Sequence, residues 1–274
     1  MERALAFVGG GNMARAIIGG LITRGYAAAR ITVADPEPAA RALLAERYGV
    51  ATTDDNAAAC AAADIVVLAV KPQQLKAVAI ALGPALRARR PLVLSIAAGI
   101  TTGLLAAWLG AELPLVRSMP NTPALVGYGI AGLYAAPGVG PALRETAAGI
   151  LGAVGTAVWV EQEDLIDAVT ALSGSGPAYC FLVLEALEAA GIKLGLAPAT
   201  ARTLAIETAL GSAELARRSA FDPATLRAQV TSKGGTTERA LAVLLEGGLP
   251  ALFDTALRAA RDRARELAQE LGRA

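Results

Sequence analysis

The apolar run Leu5–Val8 leads directly into Gly9-Gly10-Gly11-Asn12-Met13-Ala14 and then into an alanine- and isoleucine-rich stretch with helical character. The spacing is G-x-G-x-x-A in a strand–turn–helix context. Gly9 permits the tight turn, Gly11 lets the backbone approach a pyrophosphate, and Ala14 allows the helix to pack closely. Backbone N–H groups at the helix start then face the phosphates. A second apolar run, Ile31–Ala34, ends at Asp35, about 20 residues further on, where a carboxylate can accept hydrogen bonds from a ribose. Together these features support binding of a dinucleotide.

Four further groups could carry chemistry. Ala69-Val70-Lys71-Pro72 puts a lysine after a buried run, near the end of a sheet where open α/β folds bind ligands, and Pro72 holds Lys71 extended. A solvated loop lysine fits that position equally well. Ser95-Ile96-Ala97-Ala98-Gly99 closes the next run with small residues that suit the approach of a flat ring. Met119-Pro120-Asn121-Thr122-Pro123 is a rigid loop able to aim an amide and a hydroxyl, or simply a turn. Later come Ser173-Gly174-Ser175-Gly176 and Thr231-Ser232-Lys233-Gly234-Gly235-Thr236-Thr237-Glu238. The second of these resembles an anion nest for a carboxylate, with free glycine N–H groups, hydroxyls and a helix start. The alternative is a helix capped by Thr236 or Thr237.

Histidine is absent from all 274 residues. That removes Ser-His-Asp triads, histidine metal sites and histidine acid–base catalysis. Lys and Arg number 25 against 24 Asp and Glu, so the +1 balance gives no basic excess for nucleic acid. Cys60 and Cys180 lie far apart in apolar stretches and suggest neither a disulfide framework nor a zinc site. Hydrophobic residues make up 54% of the chain, which excludes disorder. The mean hydropathy of +0.49 raises the question of a membrane. The uncharged stretch Pro91–Ala111 is long enough to span one, but it reads as a strand Leu92–Ile96 and a short helix Gly103–Leu109 capped from Thr101-Thr102. The N-terminal apolar run is too short for a signal peptide, and a cytoplasmic enzyme is expected.

These groups need elements to position them. Strands are expected at Leu5–Val8, Ile31–Ala34, Ile65–Val70, Leu92–Ile96, Leu115–Ser118, Ile130–Tyr134 and Ala157–Val160. Most are continuous apolar runs, as in parallel strands buried on both faces, and they alternate with helices. After Glu161 only helices are expected, at Asp164–Leu172, Pro177–Ala190, Pro198–Arg217, Pro223–Val230, Thr237–Leu245 and Pro250–Leu271. Pro198, Pro223 and Pro250 suit first turns, and Asp222 a cap. The chain therefore reads as an α/β domain over 1–162 and a helical domain over 163–274. Ala178–Ala190 is apolar around most of its circumference, so association through the helical half is expected.

The motifs Gly9–Ala14, Ala69-Val70-Lys71-Pro72, Met119-Pro120-Asn121-Thr122-Pro123, Ser173-Gly174-Ser175-Gly176-Pro177-Ala178-Tyr179 and Val230–Thr237 occur in the order seen in pyrroline-5-carboxylate reductases, and the chain resembles that family over its whole length. Lys233 departs from the pattern, standing where many relatives carry proline. The resemblance implies a Rossmann-type parallel sheet domain followed by an all-α dimerisation domain, with homodimers that assemble into larger rings in some members. It implies reduction of 1-pyrroline-5-carboxylate to L-proline with NADPH or NADH, the last step of proline biosynthesis, with no metal. Gly9, Gly11, Asn12, Met13 and Ala14 would hold the pyrophosphate, and Asp35 and Asn56 would lie by the adenosine ribose. Val70, Lys71, Pro72, Ala97, Asn121 and Glu163 would surround the nicotinamide end. Ser175, Ser232, Gly234, Gly235, Thr236 and Thr237 would receive the substrate, with Lys71 and Thr237 orienting the reacting groups.

The missing histidine agrees with that chemistry. Reduction of a ketone generates an alkoxide and usually needs a positioned acid. A protonated cyclic imine becomes a neutral amine on gaining a hydride, so alignment and exclusion of water do most of the work. Two rivals share the architecture. A β-hydroxyacid dehydrogenase would carry a lysine one turn before an asparagine on the helix after the glycine loop, where this chain has Ala178-Tyr179-Cys180-Phe181-Leu182-Val183-Leu184. A non-catalytic nucleotide sensor leaves Ser232–Thr237 without a purpose. On cofactor choice, Asp35 and Glu37 should repel a 2′-phosphate by about 1 kcal/mol, with the closest later cation, Arg41, a turn into the next helix. NADH is therefore expected to be accepted at least as well as NADPH.

Overall fold

In the computed structural model, which describes residues 3–273, Leu5–Val8 forms the first strand, β1, buried at every position. It lies inside an eight-stranded sheet with β2 (Ile31–Ala34), β3 (Ala51–Thr53), β4 (Ile65–Leu68), β5 (Leu92–Ser95), β6 (Leu115–Met119), β7 (Gly129–Ala135) and β8 (Gly155–Trp159). The order is β3-β2-β1-β4-β5-β6-β7-β8. The pleat sends alternate β1 side chains to opposite faces. Leu5 and Phe7 pack with Ile17, Ile18 and Leu44, whereas Ala6 and Val8 pack with Leu75, Leu82 and Leu105. Covering both faces are α1 (Asn12–Thr23), α2 (Pro38–Tyr48), α3 (Asn56–Cys60), α4 (Pro72–Arg89), α5 (Thr102–Leu109) and α6 (Pro141–Gly152).

The sheet is parallel except where β6 meets β7. A parallel neighbour needs a crossover of a dozen or more residues. The link 120–128 is shorter than that and is folded into a tight 3-10 turn at Thr122–Val126, so β7 returns antiparallel. The uncharged stretch Pro91–Ala111 divides as expected. It forms β5 and then α5, whose cap is the Thr101 hydroxyl accepting from the Leu104 N–H at 3.2 Å.

The chain forms two compact units. One runs to Ser175 and resumes at Ala259; the other is Gly176–Arg258. The composition change near residue 162 marks the end of the sheet. The first unit continues through α7 (Leu165–Val169) and a π-helical turn at Thr170–Gly174, where Ile166 and Ala171 are buried. The second unit is wholly helical: α8 (Gly176–Lys193), α9 (Pro198–Arg218), α10 (Pro223–Gln229), α11 (Thr236–Glu246) and the beginning of α12 (Leu249–Arg273). Within it α8 and α9 approach closely, since a Cβ on Gly191 would lie 3.2 Å from the Cβ of Ala201. Asp222 caps α10 by accepting from the Thr225 N–H at 2.8 Å. No residue of α8 is buried, and Phe181 and Leu182 stay about two-thirds exposed at 65% and 64%. Leu165–Lys193 is long and apolar enough to cross a bilayer, and α11 with α12 passes the same criterion as a bent pair.

Candidate active site

The registers Val8↔Ala34, Val8↔Leu68 and Leu68↔Ser95 bring the carboxyl ends of four strands level. Strand order reverses between β1 and β4, the position at which open α/β sheets hold ligands. Gly9 has φ +101°, and a Cβ there would sit 2.7 Å from the carbonyl oxygen of Ala69, so only glycine fits. Gly11 is the residue before α1, and no side chain caps that helix. A Cβ on Gly11 would meet nothing within 4 Å. Asn12 is exposed, Met13 half-buried, and Ala14 fully packed. An uncapped helix start behind an open glycine cradle matches what a pyrophosphate requires, and the residues present fit a dinucleotide.

Asp35 follows β2 and is fixed on both carboxylate oxygens: Oδ2 accepts from the Gly10 N–H at 2.7 Å and Oδ1 from the Glu37 N–H at 2.9 Å. Arg41 lies one turn into α2, as expected from sequence, yet that position does not remove it from the turn after β2. Its guanidinium turns back, Nη1 donating to the carbonyls of Asp35 at 2.7 Å and Pro36 at 2.9 Å. The hydrogen-bonding reach of an arginine over six residues outweighs the direction of its helix. Arg15 donates from Nε to the Gly10 carbonyl at 2.8 Å. Asn56 is the first residue of α3, beside the capping Asp55.

Beyond β4, Val70 is half-buried and Lys71 exposed; Lys71 immediately precedes α4, with Pro72 at its first position. Ala97 is buried after β5, its N–H 3.4 Å from the Ser95 hydroxyl. A cavity of about 260 Å³ opens here, lined by Pro72, Gly99, Thr170 and Ser175. Another wall is the end of α12, including Arg263, Ala264 and Leu267. Sequence reasoning assigned that helix to the helical half and missed this contribution. The signal was present, because Ala260, Ala264, Leu267 and Leu271 recur at helical spacing along one face.

Two expected nicotinamide neighbours are engaged elsewhere. Asn121 is buried; its Nδ2 donates to the Ser173 carbonyl at 3.0 Å and its Oδ1 accepts from the Ile130 N–H at 2.9 Å. It braces the loop instead of presenting its amide outward. Glu163 accepts from the N–H and hydroxyl of Thr102 at 2.6 and 2.8 Å, and its carboxylate lies 3.6 Å from Arg117. It thereby supports the start of α5, where a carboxylate also complements the helix dipole.

In the second unit the loop before α11 differs from the nest of free glycine amides expected from sequence, because both amides are taken locally and only the threonines are left. Gly234 has φ +73°, and its N–H donates to Glu238 Oε2 at 2.7 Å. The Gly235 N–H donates to the Ser232 carbonyl at 3.0 Å. Gly235 precedes α11, whose first turn receives no side-chain cap, so Thr236 and Thr237 do not cap it themselves. Ser232 and Thr236 are exposed and Thr237 is half-buried.

A parallel sheet with a glycine cradle at its switch point and small residues after β5 defines a nicotinamide-dinucleotide oxidoreductase. Residues 4–99 match the family described as NADP oxidoreductase, coenzyme F420-dependent, and residues 163–267 match pyrroline-5-carboxylate reductase dimerisation. The pyrroline-5-carboxylate reductase of Pseudomonas aeruginosa is 51% identical over 268 residues, covering 98% of each chain. That of Synechocystis is 41% identical, covering 98% of this chain and all of the relative. The solved pyrroline-5-carboxylate reductase of Coxiella burnetii superposes with a TM-score of 0.95 at 46% identity, covering 97% and 99% of the two chains. The Plasmodium falciparum pyrroline carboxylate reductase, solved with NADP bound, gives 0.85 at 27% identity over 97% and 98%. The chain belongs to the pyrroline-5-carboxylate reductase family.

Proposed function

We propose that the chain reduces 1-pyrroline-5-carboxylate to L-proline with NADPH or NADH, the last step of proline biosynthesis. The observation that carries the reading is the end-to-end similarity to reductases of that name, joined to a glycine cradle that admits no side chain at Gly9 and lies open at Gly11. The bound cofactor supplies a hydride equivalent to the C=N carbon. Gly9, Gly11, Asn12, Met13 and Ala14 hold the pyrophosphate, with Asp35 and Asn56 at the ribose. Val70, Lys71, Pro72 and Ala97 border the nicotinamide, beside a cavity walled largely by apolar groups, including Ala264, Leu267 and Leu271. Ser175 in the first unit, and Ser232, Gly234, Gly235, Thr236 and Thr237 in the second, are the residues we assign to the substrate, the α11 start being suited to a carboxylate. No histidine is needed, because the protonated imine already carries the positive charge that reduction removes.

The exposed apolar side chains of α8 support a homodimer built through residues 163–267, the region matching the dimerisation family. Glu185, Glu188 and Lys193 on α8 argue for that burial over insertion into a bilayer. We read the chain as a cytoplasmic enzyme, with ring assembly of dimers as one arrangement. The test is turnover of NAD(P)H absorbance with pyrroline-5-carboxylate and, separately, with a β-hydroxyacid. Activity on the imine alone, from a species at least dimeric by light scattering, is expected. Activity on the hydroxyacid alone would refute the reaction, and a stable active monomer would refute the assembly.

A further inference from the structure

We propose that Arg41 receives the 2′-phosphate of NADPH and makes the phosphorylated cofactor the more tightly bound of the two. The inference rests on the dinucleotide reading above and concerns one corner of that site. Arg41 is half-buried in the first turn of α2. Its Nη1 is held by the carbonyls of Asp35 and Pro36 at 2.7 and 2.9 Å, which fixes the guanidinium against the turn that follows β2. In dinucleotide-binding α/β folds that turn is where the adenosine ribose lies, and an arginine nearby accommodates a 2′-phosphate.

A guanidinium carries five N–H donors in one plane. Nη1 is committed to the turn, while Nε and Nη2 have no hydrogen-bond partner among the described residues. The side chain is thus anchored by one arm and offers the rest of its fork, the geometry that suits phosphate oxygens. Anchoring in advance lowers the side-chain entropy lost when the phosphate arrives.

The negative charge at this turn is also less isolated than the sequence suggests. Both Asp35 oxygens accept backbone N–H groups, one of them from Gly10. The carbonyl of that same Gly10 is bound by Arg15 Nε at 2.8 Å, placing a second guanidinium on the loop. Asp35 and Glu37 are therefore matched in charge by Arg15 and Arg41. This reverses the preference expected when Asp35 and Glu37 are weighed alone.

Isothermal titration of the full-length protein with NADP⁺ and with NAD⁺ tests the assignment without relying on turnover. Wild type should bind NADP⁺ tighter than NAD⁺ by about fivefold or more. Arg41→Ala should weaken NADP⁺ by about 10- to 100-fold, the range for hydrogen bonds to a charged group, and NAD⁺ by less than about twofold. Arg41→Lys keeps the charge without the fork and should fall between; it also carries the test if the alanine variant does not fold. Equal losses for the two cofactors, or no loss, would overturn the role of Arg41 while leaving the dinucleotide site standing. Binding of neither cofactor by wild type would overturn both.

Discussion

Arg117 and Asp167 meet at 3.0 Å inside the first unit, with only 3% and 10% of their side chains exposed. The pair ties β6 to α7. Glu163 lies on the other side of the guanidinium, and Arg265 from the end of α12 comes within 3.8 Å of Asp167. Arg117 Nε has no partner among the described residues, so the cluster is only partly compensated. Removing one member of a buried pair strands the other charge, at a cost of about 3–5 kcal/mol, whereas replacing both with apolar residues can be nearly neutral. Asp167→Leu is expected to lose stability in that range, and Arg117→Met with Asp167→Leu to lose much less. Urea unfolding of the two singles and the double closes the cycle. Additive losses would show that the two side chains do not act as a pair.

Gly9 and Gly11 stand two residues apart and should fail in different ways. At Gly9 the left-handed φ and the 2.7 Å approach to Ala69 leave no place for a methyl group. Gly9→Ala should cost about 1–3 kcal/mol of stability and lose cofactor binding as the loop shifts. At Gly11 the backbone is extended and the surroundings open. Gly11→Ala should change stability by less than about 1 kcal/mol, yet weaken NADP⁺ binding by about tenfold or more as the methyl group enters the pyrophosphate's path. Thermal melts and titration separate the two effects. A Gly11→Ala protein with wild-type affinity would remove that residue from the cofactor site.

Much of this was legible because buried parallel strands leave continuous apolar runs, and β1, β2, β4 and β5 all begin where such runs begin. The edge strand β3 was not. Ala51-Thr52-Thr53 is three residues long, largely outside the core, and carries no apolar pattern. The reversal at β7 was also hidden, since an apolar run does not state its direction. Side-chain direction limited the reading of the site in the same way. Sequence placed Asn121 and Glu163 near the crevice and set Arg41 a turn into the next helix, but only the hydrogen bonds show Asn121 turned inward, Glu163 engaged by Thr102, and Arg41 folded back onto the turn.

Asp64 gives the first unit a pH signature. Its carboxyl is held below the usual range, first by the N–H of Ala4 at 2.8 Å, against a smaller desolvation that raises it, and then by Arg89 at 2.7 Å. A carboxyl with a lowered folded pKa adds stability that is full above its unfolded pKa and is lost as pH falls through the folded one. Both side chains are more than 40% exposed, so the ion pair itself contributes less than about 1 kcal/mol. Asp64→Asn should therefore lower Tm slightly at neutral pH, with the gap to wild type closing as the medium is acidified below the carboxylate range. A constant gap across pH would mean that the charge of Asp64 is not what stabilises this corner.

Thr237 is the second residue of α11, half-buried at a helix start that no side chain caps. The neighbouring glycine amides are already in use, Gly234 by Glu238 and Gly235 by Ser232. The hydroxyl and N–H of Thr237 are therefore among the donors left for a carboxylate. If they anchor the substrate, Thr237→Ala should lose about 1–3 kcal/mol of transition-state stabilisation, or roughly 5- to 150-fold in kcat/KM. The cofactor site is built from other residues, so the dissociation constant for NADP⁺ should stay within about twofold of wild type. Thr237→Ser keeps the hydroxyl and should recover most of the activity. Steady-state kinetics beside NADP⁺ titration distinguish a substrate contact from general damage. Wild-type efficiency in a folded Thr237→Ala protein would take the residue out of the site, and a parallel loss of cofactor affinity would show that the substitution disturbs more than substrate binding.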